Sequence, residues 1–164
     1  MHETIGEADF KSAMKHLAAG VTLITSISEG ERCGMTATAV CSLSATPAQL
    51  IICVNRHNRT HRMILESRRF CVNLLAHDQI DVAQHFSSHQ ARAERFAHGP
   101  WSTLKTGAPA LMNALTALDC ELAQAIEVAT HSIFIGRIVA VHARENSAPL
   151  LYHDGHYAGI AEYA

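Results

Sequence analysis

The segment Gly34-Met35-Thr36-Ala37-Thr38-Ala39-Val40-Cys41-Ser42-Leu43-Ser44 is uncharged, built of mostly small side chains and rich in hydroxyls. Small side chains let backbone N–H groups come close to a ligand, while hydroxyls bond carbonyl or phosphate oxygens. A flat heteroaromatic ring suits such a surface, with apolar contact on its face and hydrogen bonds at its edge. The same composition also fits a half-buried strand with its threonines turned outward, and composition leaves both readings open. A second cluster, Asn55-Arg56-His57-Asn58-Arg59-Thr60-His61, lies where an apolar run gives way to a helical pattern. Arginine, amides and a threonine at a helix N-terminus offer charge and oriented N–H groups to a phosphate. A solvated loop with Thr60 as the helix cap is the other reading.

Histidine is abundant, at 12 residues. Asp81, His85 and His89 stand at i, i+4 and i+8, the spacing of metal ligands on one helical face. H-E-x-x-H is absent, however, and that helix would have to run into a polar stretch, so surface histidines are expected and no metal. His131 opens a strand after Ala129-Thr130 and precedes an apolar run, a position that suits a pocket rim, a cap or a packing contact. G-x-x-x-x-G-K-[ST] and G-x-G-x-x-G are both missing, which argues against a P-loop or a Rossmann site. No serine stands in G-x-S-x-G, and no cysteine carries a hydrolase signature. The residues point to a ligand pocket more readily than to a hydrolase.

The elements that would position these residues are mostly strands. Asp9 reads as the N-cap of a first helix, with Phe10, Ala13, Met14 and Leu17 at helical spacing and Gly20 ending it. Strands are expected over 21–28, 33–40, 50–54, 70–75, 117–128 and 131–143, with a bulge at Gly136. Thr60–Glu66 reads as a short helix with His61, Ile64 and Leu65 on one face, and Gln79–Phe86 as one to two helical turns. Residues 87–99 read as a polar surface loop or short helix. Two last short strands, 149–152 and 156–160, flank Asp154-Gly155, a type I′ hairpin signal. With no repeat or linker, residues 1–164 are expected to form one mostly β domain with peripheral helices, an antiparallel barrel.

Composition narrows the function classes. Net charge is −2 with charged residues at 17%, which lacks the basic footprint of a nucleic-acid binder. No apolar run reaches a membrane-spanning length, and the first residues lack the pattern of a secretory signal. Five cysteines, none in C-x-x-C, suit reduced thiols in a cytoplasmic protein.

Five segments in order resemble the short-chain flavin reductase family, the reductase components of two-component flavin-dependent monooxygenases. They are FKSAMKHLAAGVTLITS, GMTATAVCSLSATPAQLIICVN, FCVNLLAHDQIDVAQHFSS, THSIFIGRIVAV and PLLYHDGHY, spanning about Phe10 to Ile160. The stretch GMTATAVCSLS is most similar to reductases serving 4-hydroxyphenylacetate and related aromatic hydroxylases, and a pyrimidine-degradation reductase has a similar pattern. The resemblance implies an FMN-binding split β-barrel, a homodimer, FMN or FAD with NADH or NADPH, and a separate oxygenase that receives reduced flavin. It implies that Met35, Thr36, Ala37, Thr38 and Ala39 line the isoalloxazine, with Gly34 and Ser42 in the same cofactor-binding stretch. Asn55, Arg59 and Thr60 would lie near the ribityl phosphate, Phe86 and Ser87 would close the site, and Tyr157 would flank the cofactors. His131 would serve the nicotinamide side. The chain departs from many relatives at Thr46-Pro47-Ala48, where a double proline is common, and at Thr38-Ala39, where Asn-Ser is common. Hydride would pass from nicotinamide to flavin, so the cofactors would carry the chemistry and the protein would stack them. A flavin-binding electron carrier without NAD(P)H activity, or an unrelated small-ligand barrel, are the competing readings.

Overall fold

The computed structural model describes residues 3–88, 94–145 and 147–161. In chain order the elements are α1 (Glu7–Met14), β1 (Ala19–Gly20), β2 (Thr22–Ser28), β3 (Glu31–Ala37), β4 (Val40–Ala45), β5 (Ala48–Asn55), α2 (Arg59–Ser67), β6 (Arg69–Leu74) and α3 (Ile80–Ser87). They continue with β7 (Trp101–Thr103), β8 (Pro109–Leu111), β9 (Thr116–Val128), β10 (His131–Ala143), β11 (Leu151–His153) and β12 (His156–Ala158). The fold is mostly β with peripheral helices.

Seven antiparallel strands form one sheet in the order β3-β2-β6-β9-β10-β5-β4. Its two edges, β3 and β4, are consecutive in the chain, with only Thr38 and Ala39 between them. Three Cα steps reach about 11 Å at most, so the sheet has to curl until its edges approach each other. No ladder joins β3 to β4 among the described strands. The result is an open barrel with its seam along β3, where Gly34 O accepts from Arg95 Nη1.

Apolar alternation fills the inside. Along β5, Leu50, Ile52 and Val54 are buried while their neighbours are not, and they meet Ile24, Phe70, Val72 and Phe134 in the main core. Val21, Leu23, Leu75, Ala83, Phe86 and Leu111 form a second cluster beneath α3. The short β7–β8 pair is tied to the barrel by buried Asn73, whose Oδ1 accepts the Leu111 N–H at 2.7 Å. Buried Asp119 accepts the Thr106 N–H at 2.6 Å and fixes the loop between them.

The strands and helices expected at 21–28, 50–54, 70–75, 79–86, 117–128 and 131–143 are present within a few residues. A register shift falls at Ile135/Gly136, where the bulge is expected. Asp154 and Gly155 both have positive φ, 48° and 82°, as a type I′ turn requires. Four expectations need correction. Asp9 lies inside α1 with Gly6 at the cap, the helix ends at Met14, and Gly20 belongs to β1. Asn58, not Thr60, caps α2. Met63 joins His61 and Ile64 on the buried face of α2, while Leu65 is 38% exposed. The segment at 33–44 is two strands, because the chain leaves one sheet edge at Ala37 and joins the other at Val40.

Candidate functional site

Two cavities adjoin along the β3 edge. The first, about 210 Å³, has β3 residues Arg32, Cys33, Gly34, Met35 and Thr36 on one side. Asn58, Arg59 and Thr60 at the start of α2 face Phe86 and Ser87 at the end of α3, and Arg95 and Phe96 complete the wall. The second, about 260 Å³, is lined by Val21, Thr36, Ala37, Thr38, Ser87, Tyr152 and Tyr157. Thr36 and Ser87 belong to both, so the two make one groove.

The first end is built for an anion. Asn58 Oδ1 accepts the Thr60 N–H and Asn55 Oδ1 accepts the His57 N–H, each at 2.9 Å, which shapes the turn into α2. The helix N-terminus then adds its partial positive charge to the guanidinium of Arg59, which is paired with Glu31. Arg95 donates from Nη1 to Gly34 O at 2.8 Å and from Nε to His85 O at 3.2 Å, so it ties β3 to the end of α3. Arg32 lies 4.6 Å from the centroid of the Phe96 ring. Burial pushes the Cys33 thiol up, against the opposing pull of Thr60 and Arg59, and a neutral thiol adds no negative charge to the pocket.

The opposite end is flat and neutral. Thr36 Oγ1 donates to Ala83 O at 2.6 Å and bolts α3 to β3. Gly34 permits this approach: a Cβ there would lie 2.7 Å from Phe86 Cε1 and 3.1 Å from Thr25 Cγ2. Tyr152 and Tyr157 face each other across the β11–β12 hairpin with ring centroids 5.5 Å apart. No aspartate, glutamate or histidine lines either cavity among the described residues. The groove therefore offers backbone and hydroxyl bonds for a planar ring and guanidinia for its anionic tail, with no carboxylate or imidazole among the described lining residues. That donor set fits a flavin mononucleotide.

The expected site residues divide accordingly. Gly34, Met35, Thr36, Arg59, Thr60, Phe86 and Ser87 line the first cavity, and Thr36, Ala37, Thr38, Ser87 and Tyr157 the second. Ala39, Ser42, Asn55 and His131 line neither. Ala39 O accepts the Cys53 N–H at 3.0 Å, and Ser42 lies exposed on β4 opposite Leu50. His131 is exposed, pairs in register with Asn55, and contacts Thr130 Oγ1 through Nδ1 at 2.9 Å. Its neighbour Ser132 bonds His61 Nε2 at 2.8 Å, where burial holds the His61 pKa below its ordinary value. Among the suggested metal ligands, Asp81 O contacts His85 Nδ1 at 2.7 Å, and His89 lies outside the described residues.

Sequence reasoning singled out neither Arg32, Arg95, Phe96 nor Tyr152. The pairing of Tyr152 with Tyr157 across Asp154-Gly155 was available from the turn signal. Arg95 had no local signal, because it meets Gly34 from 61 positions away.

Comparison with known proteins agrees with this geometry. The family described as flavin reductase like domain matches residues 14–161. FMN reductase (NADH) RutF of Stutzerimonas stutzeri is 39% identical over 153 residues, covering 93% of this chain and 88% of the relative. The solved structure of BorF, the flavin reductase component of a bacterial two-component tryptophan halogenase, superimposes with a TM-score of 0.88 at 28% identity, covering 96% of this chain and all of BorF. The NADH:FAD oxidoreductase SgcE6 of Streptomyces globisporus, solved with NAD and FAD fragments, gives a TM-score of 0.88 at 26% identity over 98% of each chain.

Proposed function

The chain belongs to the flavin reductase like domain family, and we propose that it is an NADH-dependent FMN reductase that supplies reduced flavin to a separate oxygenase. The observation that carries this reading is the β3 groove, planar and neutral at Tyr157 and guanidinium-lined at Arg59. FMN and NADH are the compounds named for the curated relative, and BorF supports the two-component arrangement. When bound together, reduced nicotinamide gives a hydride to the flavin, and the cofactors supply that chemistry.

The protein's part is binding and orientation. Thr36, Ala37 and Thr38 hold the edge of the ring through backbone N–H groups and the Thr38 hydroxyl, since Ala37 O and Thr38 O already accept from Thr22 Oγ1 and the Val40 N–H. Those N–H groups also favour negative charge gathering at the ring edge. Tyr157 and Tyr152 shield one end of the groove from water. Asn58, Arg59, Thr60 and Ser87 hold the phosphate, with Asn55 setting the loop from behind. His131, exposed at the start of β10 next to Asn55, is accessible to an incoming nicotinamide nucleotide from outside the groove. Thr38, Ser87 and Tyr152 are exposed, and so shallow a seat suits a flavin that leaves after reduction.

A homodimer is supported by α1, which buries no residue and leaves Phe10 54% and Met14 45% exposed, and by exposed Ile126 and Val128 on β9. Five free cysteines support a cytoplasmic setting.

The test is to mix the purified chain with NADH and FMN and follow absorbance near the reduced-nicotinamide band. FMN-dependent loss of NADH is expected. Flavin binding without NADH loss would favour the electron carrier, and absence of both would overturn the reading.

A further inference from the structure

The guanidinium end of the groove opens into different surroundings past two of its arginines. Past Arg59 lies a space of about 400 Å³ lined by Glu29, Glu31 and Glu66 together with Arg62. Three carboxylates there repel a second phosphate. Past Arg32 lies a cavity of about 210 Å³ lined by Ile27, Trp101, Ser102, Thr103, Gly107 and Pro109, with no carboxylate. Arg32 lines both this cavity and the anion pocket. The two are also linked by ring contacts: Arg32 lies 4.6 Å from the Phe96 centroid, and Phe96 packs edge-on against Trp101 at 4.8 Å.

We propose that the Arg32–Trp101 cavity is a subsite for the adenosine 5′-phosphate half of a dinucleotide. A purine needs an aromatic and apolar wall, which Trp101, Ile27 and Pro109 provide. Its ring nitrogens and the ribose need small hydrogen-bonding groups, and Ser102 and Thr103 are exposed hydroxyls on β7. The phosphate needs a cation between this cavity and the anion pocket, which is where Arg32 stands. Because β7 and β8 are pinned to the barrel through Asn73, the wall is in place before a ligand arrives. The subsite deepens the flavin reductase reading and rests on it. Both FAD and NADH carry this half, so either could be its source.

Trp101 is the chain's one tryptophan, and its emission reports on the cavity. Adenosine 5′-phosphate, nicotinamide mononucleotide and inorganic phosphate are titrated separately against the full chain, with Arg32→Ala and Thr103→Glu as variants. Adenosine 5′-phosphate should change the emission saturably, and each variant should weaken its binding at least tenfold while melting normally. An unchanged emission, or equal affinity in both variants, overturns the subsite. A change reproduced by inorganic phosphate at the same concentrations overturns its nucleoside part.

Kinetics of Thr103→Glu then separate the sources. A KM raised at least fivefold for FAD relative to FMN assigns the subsite to FAD, and a similar rise for NADH assigns it to NADH. Movement of neither overturns the proposal. Binding read by Trp101 does not require turnover, so failure of the subsite and failure of the reductase reading are told apart by whether the wild-type chain oxidises NADH with FMN.

Discussion

Replacing Arg59 with alanine is expected to raise the KM for FMN by roughly 10- to 100-fold, since a hydrogen bond to a charged group is worth about 1.5–3 kcal/mol. Riboflavin, which lacks the phosphate, should be affected within about threefold, the range of weak surface electrostatics. The chain should tolerate the change, because the Arg59 side chain is 42% exposed and its partner Glu31 is 71% exposed. Arg59→Lys should fall between the two, since lysine keeps the charge but loses the planar fork that grips two phosphate oxygens. The comparison of FMN with riboflavin makes this a measurement of phosphate recognition. A general distortion of the groove would weaken both flavins alike.

The second large effect is on stability. Gly136→Val should destabilise the fold by about 3 kcal/mol or more, at the upper end for overpacked cores. A Cβ at position 136 would lie 2.4 Å from Phe70 Cζ and 3.1 Å from Cys120 Cβ, and both residues are fully buried. Phe70 is walled in by the main core and has nowhere to turn. A loss of that size lowers the melting temperature by roughly 6–12 °C in a chain of this length, and thermal denaturation followed by circular dichroism would read it. An unshifted melt would mean that the bulge at Ile135/Gly136 relaxes to make room.

Gly136 also shows how far the sequence could be read. The break in alternation along 131–143 announced a bulge, and the bulge is there. The ring that makes glycine necessary comes from β6, through a contact that β6 and β10 make across β9. Long alternating runs such as β9 and β10 were legible because their period is local. The three-residue strands β7 and β8 were not, since so short a pairing leaves no period to detect and, unlike the equally short β11 and β12, they flank no two-residue turn signal such as Asp154-Gly155.

The groove was legible in part for the same reason. Met35, Thr36, Ala37 and Thr38 stood out as an uncharged, small-residue run, and Arg59 and Thr60 as a helix start. The step from β3 to β4 at Thr38-Ala39 carries no glycine or proline, so one continuous stretch was read where two sheet edges meet. Ser42, which the family resemblance placed in the cofactor-binding stretch, lies exposed on β4 and lines neither cavity. Arg32 and Arg95 enter only through the fold, which brings β3, α3 and the segment after it together around one anion pocket.

Electron density for FMN in crystals of this chain tests the central claim most directly. The isoalloxazine should lie along β3 at Thr36–Thr38 beside Tyr157, with the phosphate among Asn58, Arg59 and Thr60. A flavin seated elsewhere, or one reversed so that its phosphate meets Tyr157, would contradict the account.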